Sequence, residues 1–238
     1  MARYLNFFVS LFIFILALPI ILISILAVYL NDFGNPIYSA RRVGKNFKEF
    51  KMLKIRTMII NAEHTGINST SNNDKRITKI GKIIRKFKID ELLQLLNVLN
   101  GEMNIVGPRP NVWADVNKYN NIEKKILAIK PGITDISSII FSDEGSILKS
   151  SKNPDITYDQ LIRPWKSRFC LIYIKEQSTS FDLYIVYLTI LSLINKKLAL
   201  NQLKKSLSKF GLKGKILDIA QRKIKLEPSD PPEKDESY

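Results

Sequence analysis

Two adjacent acids, Asp90 and Glu91, open a stretch whose residue types suit chemistry on phosphates. A Leu-rich run follows, with six apolar residues among the eight from Leu92 to Leu99, and it predicts a largely buried helix. Because the dipole and the free N–H groups at a helix start favour negative charge, we expect Asp90 to be ionised there. A positioned, ionised carboxylate serves as a nucleophile or as a metal ligand.

The same stretch closes on one arginine between two prolines, in the sequence Gly107-Pro108-Arg109-Pro110. The prolines restrict the backbone on both sides, so Arg109 is presented on a stiff loop. Its guanidinium has the fork geometry that suits phosphate oxygens. The alternative is structural: Asp90 is an ordinary N-cap, Glu91 is a first-turn acid, and Arg109 belongs to a turn.

Residues 90–110 resemble the bacterial sugar transferase family, also called monotopic phosphoglycosyl transferases or polyprenyl-phosphate sugar phosphotransferases. That family typically shows Asp-Glu-Leu-Pro-Gln-Leu, Asn-Val-Leu, Gly-Asp-Met-Ser and Val-Gly-Pro-Arg-Pro in this order. The matching segments here are DELLQL (90–95), NVL (97–99), GEMN (101–104) and VGPRP (106–110). Leu93 stands where the family usually has proline, a departure that changes how the helix starts and removes no reactive group.

The resemblance implies roles for individual residues of this chain. Asp90 and Glu91 are the expected catalytic residues, and Asp90 is also the expected ligand of Mg²⁺. The expected substrate-binding residues are Lys54, Arg56, Arg85, Pro108 and Arg109. For Lys54 and Arg56 the alternative is an alternating edge strand whose two cations are solvated.

Residues 4–31 contain no charged side chain and exceed the roughly 20 helical residues that cross a bilayer. A signal peptide is disfavoured because no small-residue cleavage site precedes Asp32. Two interpretations remain, a plain transmembrane helix and a re-entrant helix that enters and leaves the same leaflet.

Pro19 favours the re-entrant form, because proline removes a helix hydrogen bond and kinks the helix. Basic residues on both sides, Arg3 before the run and Arg41 and Arg42 after it, would keep both ends cytoplasmic. The family resemblance implies the same anchor, although Leu18 replaces the serine that usually precedes this proline.

The chain is strongly basic, since 37 Lys and Arg against 22 Asp and Glu give a net charge of +15 over 238 residues. A basic balance indicates polyanionic partners such as anionic lipid or phosphorylated substrates. No interleaving of aromatic and basic residues marks a nucleic-acid site, so we expect no nucleic acid partner. The single cysteine, Cys170, excludes an internal disulfide, and the single histidine, His64, excludes a His-rich metal site.

Shorter patterns predict the remaining elements. Residues 36–39 and 50–53 suggest a β-hairpin, and residues 61–76 suggest a polar loop. Residues 77–88 have the spacing of a basic amphipathic helix, which either exposes a solvated face or lies on anionic headgroups. Residues 111–129 read as a helix.

The C-terminal part contains two apolar patterns and a polar end. Residues 183–194 form an uncharged run that is too short to span a bilayer, so a buried or interfacial helix is expected. Residues 201–225 are basic and suggest a surface or membrane-facing helix. Residues 227–238 are acidic and rich in proline, a composition typical of disorder.

Together these features predict an α+β fold. It comprises an N-terminal re-entrant membrane helix (1–35), a compact, mainly helical cytoplasmic catalytic domain with a small β-hairpin (36–200), and a basic helix with a disordered acidic tail (201–238). Helices of the catalytic domain are expected to lie on the membrane surface.

The resemblance implies Mg²⁺-dependent transfer of a phosphosugar from a UDP-sugar to polyprenyl (undecaprenyl) phosphate, with release of UMP, through a covalent aspartyl-phosphosugar. This would be the first membrane step of surface polysaccharide or glycoconjugate synthesis, on the cytoplasmic face of the bacterial inner membrane. The expected partners are the UDP-sugar, polyprenyl phosphate and the lipid bilayer, and a homodimer is left open. The alternative is a non-catalytic, membrane-anchored basic module that binds anionic lipid or nucleic acid.

Overall fold

The computed structural model describes residues 3–62, 70–71, 73–149 and 151–233. Within these ranges the strands are β1 (Ile37–Val43), β2 (Glu49–Ile55), β3 (Asn104–Val106) and β4 (Gly132–Thr134). The helices are α1 (Arg3–Asp32), α2 (Lys79–Lys86), α3 (Gln94–Leu99), α4 (Trp113–Val116), α5 (Ile136–Ile140), α6 (Glu144–Ile147), α7 (Pro154–Leu161), α8 (Arg163–Glu176), α9 (Thr179–Ile194), α10 (Lys196–Lys209) and α11 (Lys215–Ala220). This mixture of helices and small sheets confirms the α+β class.

Two separate two-stranded sheets are present in the described residues. The predicted hairpin is confirmed, because β1 and β2 pair antiparallel with Ala40 opposite Met52, both buried. The second sheet, in which β3 and β4 run parallel, was not predicted. Next to it, a side chain on Gly132 would lie 2.1 Å from the nitrogen of Gly107, so glycine allows these two backbones to meet.

The main hydrophobic core lies between α5, α8, α9 and α10. Fully buried side chains from these helices pack together, including Ile136, Phe169, Ile185 and Leu203. Leu207 of α10 also belongs to this core. A domain boundary after residue 200 would therefore cut α10 in two, and the segment that follows is part of the body rather than an appendage.

The long helix α1 runs without a break through Pro19. Residues at helical spacing along one stripe, including Asn6, Ser10, Ile21 and Val28, are buried against the body, while most of the remaining surface is apolar and exposed. In the part of the chain that the structure describes, it is the one helix long and apolar enough to cross a membrane.

Both ends of α1 contact the same globular body. Near its start, the Asn6 Oδ1 atom accepts a hydrogen bond of 3.0 Å from the backbone nitrogen of Ile105 in β3. At its end, both carboxylate oxygens of Asp32 bind the guanidinium of Arg56, just after β2.

The segment from residue 111 to 129 differs from the predicted single helix. It contains α4 and a separate 3-10 helix, Glu123–Ala128, which begins where Glu123 turns inward. The carboxylate of Glu123 is fully buried and accepts hydrogen bonds from Arg163 at 2.9 Å and Ser167 at 2.7 Å. The break in the predicted helix therefore depends on Arg163 and Ser167 of α8, which are distant in sequence, so no local pattern predicts it.

The end of the chain also differs from the disordered tail expected for residues 227–238. Leu226 lies in the main core, the Ser229 nitrogen donates to the carbonyl of Gln160, and the Pro232 carbonyl accepts from the Asn120 side chain at 2.9 Å. Residues 227–233 are thus held against the body by backbone hydrogen bonds. Residues 234–238 and half of the loop expected at 61–76, including His64, lie outside the described residues.

We predict that Leu226→Ala lowers the free energy of unfolding by about 2 kcal/mol, because it empties a packed site in the core. The matched control is Ile224→Ala, two residues earlier, where the side chain is 38% exposed. We expect the control to stay within about 0.5 kcal/mol of the parent. Equal effects of the two substitutions in thermal or denaturant unfolding would mean that this segment does not pack on the body.

Candidate active site

The two acids lie in a 3-10 turn, Ile89–Glu91, and α3 begins three residues after Glu91. The expectation that α3 starts at the acids is therefore wrong by about one turn, and its dipole does not act on Asp90 directly. Leu93, at the position of the family's proline, is buried in a cluster with Ile21 of α1 and Ile84 of α2. Packing of this leucine fixes the turn between the acids and α3.

Glu91 is the centre of a partly buried ion-pair network. Arg109 donates from Nη1 to Oε2 at 3.1 Å and from Nη2 to Oε1, and Lys54 of β2 donates to Oε1 at 3.4 Å. Burial alone would raise the pKa of Glu91, but the charges of Arg109 and Lys54 outweigh burial and hold that pKa well below its usual range. Glu91 is thus a fixed anion that positions two cations.

Asp90 has a different environment although it is the next residue. Its side chain is buried, Lys54 Nζ lies 3.9 Å from Oδ2, and no described residue donates a hydrogen bond to its carboxylate. Burial, helped by the charge of Glu91, raises the pKa of Asp90 against the pull of Lys54, Arg85 and Arg109. This corrects the expectation that a helix start favours its ionised form. Neighbouring carboxyls with pKa values pushed apart are typical of acid pairs with separate roles.

Arg85 and Pro108 also belong to this site. Arg85 lies in the last turn of α2, contributes to the electrostatic environment of Asp90, and keeps a buried Nη1 that has no hydrogen-bond partner among the described residues. The carbonyl of Pro108 accepts from the nitrogen of Gly132 at 3.0 Å, which fixes the loop that carries Arg109. The structure therefore brings Lys54, Arg85 and Arg109 together around the acids.

Arg56 is the predicted site residue that the structure does not bring to this cluster. Its guanidinium donates to Asp32 Oδ2 at 2.7 Å and to the carbonyls of Asn35 and Met58. These contacts join β2 to the end of α1. Pro19, the predicted kink, lies within α1.

Asn97 is a positioning residue that the sequence did not single out. It is buried in α3, accepts from the Leu53 nitrogen at 3.0 Å, and donates to the Lys51 carbonyl at 2.8 Å. It therefore fixes the distance between α3 and the strand that carries Lys54. The available signal was a polar residue within a mostly apolar helix, because such a group needs partners when buried.

Comparison with known proteins gives consistent matches. A profile described as bacterial sugar transferase matches residues 1–196. The galactosyl transferase CpsE of Streptococcus agalactiae is 35% identical over 187 residues, covering 72% of this chain and 38% of that protein. The exopolysaccharide production protein ExoY of Rhizobium meliloti is 33% identical over 187 residues, covering 72% of this chain and 76% of that protein.

A third relative carries a more specific name. The UDP-glucose:undecaprenyl-phosphate glucose-1-phosphate transferase of Escherichia coli is 34% identical over 181 residues, covering 75% of this chain and 37% of that protein. The chain thus spans less than two fifths of the length of CpsE and of the Escherichia coli protein.

The two acids should respond oppositely to removal of their charge. An acid whose folded pKa is raised stabilises the fold below its unfolded pKa and loses this contribution as pH rises through the folded value. At pH 7.5 we therefore expect Asp90→Asn to unfold at a temperature equal to or above that of the parent. The difference in unfolding temperature between this variant and the parent should shrink as pH falls towards 3.8, the ordinary pKa of an aspartic acid.

For Glu91 the lowered pKa gives stability that is complete above the ordinary value of 4.5 and is lost as pH falls below it. We expect Glu91→Gln to cost about 3 kcal/mol at pH 7.5, because it leaves Arg109 without its partly buried partner. Thermal unfolding of both variants between pH 4.5 and 8 is the measurement. Equal losses of stability would contradict the opposite directions of the two pKa shifts.

Proposed function

Because this chain belongs to the bacterial sugar transferase family, we propose that it transfers a phosphosugar from a UDP-sugar to polyprenyl (undecaprenyl) phosphate and releases UMP. One observation carries the proposal. A buried carboxylate, Asp90, is free of hydrogen-bond donors from described residues and lies beside three cations, Lys54, Arg85 and Arg109. Such a site offers a nucleophile together with the charges that a diphosphate requires.

In the first step, a carboxylate oxygen of Asp90 attacks the sugar-bearing phosphorus of the donor. A bond forms between that oxygen and phosphorus. The bond from phosphorus to the bridging oxygen breaks, and UMP leaves with that oxygen and its electron pair. The product on the protein is an aspartyl-phosphosugar, and the Arg109 guanidinium balances the charge on the phosphate oxygens.

In the second step, a phosphate oxygen of the polyprenyl phosphate attacks the same phosphorus. The bond between phosphorus and the Asp90 oxygen breaks, which restores the carboxylate and yields a polyprenyl-diphosphate-sugar. Glu91 stays ionised throughout and keeps Arg109 and Lys54 in position. This assigns Asp90 the covalent role and Glu91 a positioning role.

The residues present fit a Mg²⁺ ion held jointly with substrate. No set of three His, Cys, Asp or Glu side chains in the described ranges could hold a metal alone. Mg²⁺, however, is usually bound by one or two carboxylates plus substrate phosphates. The Glu91 oxygens are occupied by cations, so Asp90 would be the protein ligand. Bound there, Mg²⁺ would neutralise diphosphate charge and favour the ionised Asp90 carboxylate.

A lipid-phosphate acceptor requires a site at the bilayer surface. The apolar exposed surface of α1, with side chains such as Phe8, Phe12 and Ile23, is suited to lipid. We propose the cytoplasmic face of the bacterial inner membrane as the location, with α1 as a re-entrant anchor. Contacts of both α1 ends with one body, through Asn6 and Asp32, support this arrangement.

We propose that the product starts a surface polysaccharide or another glycoconjugate. The relatives are named for galactosyl transfer, exopolysaccharide production and glucose 1-phosphate transfer to undecaprenyl phosphate. The name of the Escherichia coli relative states the acceptor, undecaprenyl phosphate, and the two sugars that the names state, galactose and glucose, differ.

Purified protein with Mg²⁺ and a UDP-sugar, but without lipid acceptor, should release one UMP per active site and gain the mass of one phosphosugar. Mass spectrometry of the intact protein measures the adduct. Asp90→Asn should show neither burst nor adduct, because its amide is a poor nucleophile, and EDTA should suppress both in the parent. The control is Asp159→Asn, which breaks a salt bridge with Lys118 and should keep the burst. A normal burst from Asp90→Asn would refute the covalent role.

Membrane topology gives a separate prediction. Cysteines placed at Ala2 and Ser39, on either side of α1, should both resist a membrane-impermeant thiol reagent in intact cells in a Cys170→Ser background. Both should react once the cells are permeabilised. Labelling of the Ala2→Cys protein alone in intact cells would establish a full span and exclude the re-entrant anchor.

A further inference from the structure

A second charged cluster lies close to Arg109 and takes no part in the steps above. It consists of Glu144 of α6, Tyr158 of α7 and Lys166 of α8, here called the Glu144–Tyr158–Lys166 cluster. The charge of Glu144 raises the pKa of Arg109, and the charge of Arg109 acts to lower the pKa of Lys166. The cluster thus lies within reach of a molecule whose phosphates contact Arg109.

The three side chains are in direct contact. Lys166 Nζ donates to Glu144 Oε2 at 2.5 Å and lies 5.1 Å from the centre of the Tyr158 ring. Tyr158 is almost fully buried, whereas the side chains of Lys166 and Glu144 are 18% and 29% exposed. The Lys166 ammonium and the Glu144 carboxylate are therefore partly accessible to solvent beside the buried Tyr158 ring.

The cluster has unused hydrogen-bonding capacity. Glu144 Oε1 accepts no hydrogen bond from any residue that the structure describes, and the ammonium of Lys166 carries three donors. Burial raises the pKa of Tyr158 to about 12, so its hydroxyl keeps its proton at neutral pH. An acceptor, several donors and an aromatic face are thus available together.

The charge of the cluster suits a neutral ligand. The charges of Glu144 and Lys166 cancel, so a phosphate group would gain little electrostatic stabilisation there. It would also be repelled by the Glu144 carboxylate. Arg42 of β1, in contrast, interacts electrostatically with Arg109 and Tyr158 and forms no ion pair with a described carboxylate. Diphosphate charge is therefore expected beside Arg42 and Arg109, and a neutral polyhydroxylated group beside the cluster.

We infer that the Glu144–Tyr158–Lys166 cluster is the subsite that binds the sugar of the UDP-sugar and selects which sugar is transferred. This inference rests on the proposed function. A site that hydrogen-bonds a substrate hydroxyl discriminates strongly against a sugar that lacks or displaces it, because the buried polar groups are then left unpaired.

The experiment compares Glu144→Gln and Lys166→Met with two matched controls. Asp143→Asn removes a neighbouring carboxylate that binds Lys196 at 2.8 Å, and Lys118→Met removes a lysine that binds Asp159 at 2.5 Å. UMP release is measured with UDP-glucose, UDP-galactose and their two N-acetylhexosamine counterparts, and inhibition by UMP is measured for each protein.

For Glu144→Gln and Lys166→Met we expect the ratio of kcat/KM for the best donor to kcat/KM for the second-best donor to fall at least about tenfold. Inhibition by UMP, which lacks the sugar, should stay within about twofold. The controls should keep both quantities. Tyr158→Phe preserves the ring and should shift the preference in the same direction, which covers the case in which an ion-pair variant does not fold.

An equal loss of kcat/KM for every donor, with preference unchanged in all three variants, would reduce the cluster to a structural ion pair. Weaker inhibition by UMP would make it a uridine subsite instead. Both of these results require that the parent protein releases UMP from at least one donor. A parent that releases UMP from no donor would instead refute the proposed function, and this subsite with it.

Discussion

The ion pair between Glu91 and Arg109 is the contact on which the site depends. It joins the turn before α3 to the loop after β3, and Lys54 binds the same carboxylate from β2. Three segments distant in sequence therefore meet at one anion. Because little solvent reaches these groups, the loss of any one leaves a partner charge without compensation.

Several backbone features make this meeting possible. The close approach of Gly107 and Gly132 brings the Arg109 loop against β4, and the Pro108 carbonyl binds the Gly132 nitrogen there. The side chain of Asn97 in α3 binds the backbone of β2 and so holds that strand against the helix. The carboxylate of Asp90 is positioned by these contacts, although no described residue donates a hydrogen bond to it.

Local patterns predicted the hairpin and the amphipathic α2, because alternation and helical spacing are local properties, whereas the grouping of Lys54, Asp90, Glu91 and Arg109 was implied by the family resemblance. They did not predict the opposite pKa shifts of the two acids, since these shifts depend on burial and on cations from other elements. The placement of Arg56 required knowledge of Asp32, 24 residues away. Packing of residues 227–233 likewise depends on partners such as Gln160, which a composition rule cannot include.

The attachment of α1 at both ends has a consequence for how the protein can be handled. Asn6 binds the strand that leads to Arg109, and Asp32 binds the residue that follows the strand of Lys54. The middle of the helix covers Ile55, Ile84 and Leu93. A fragment that lacks α1 would expose this apolar surface beneath the acids, so α1 is a structural part of the folded body and cannot be exchanged for an unrelated helix without loss of this packing.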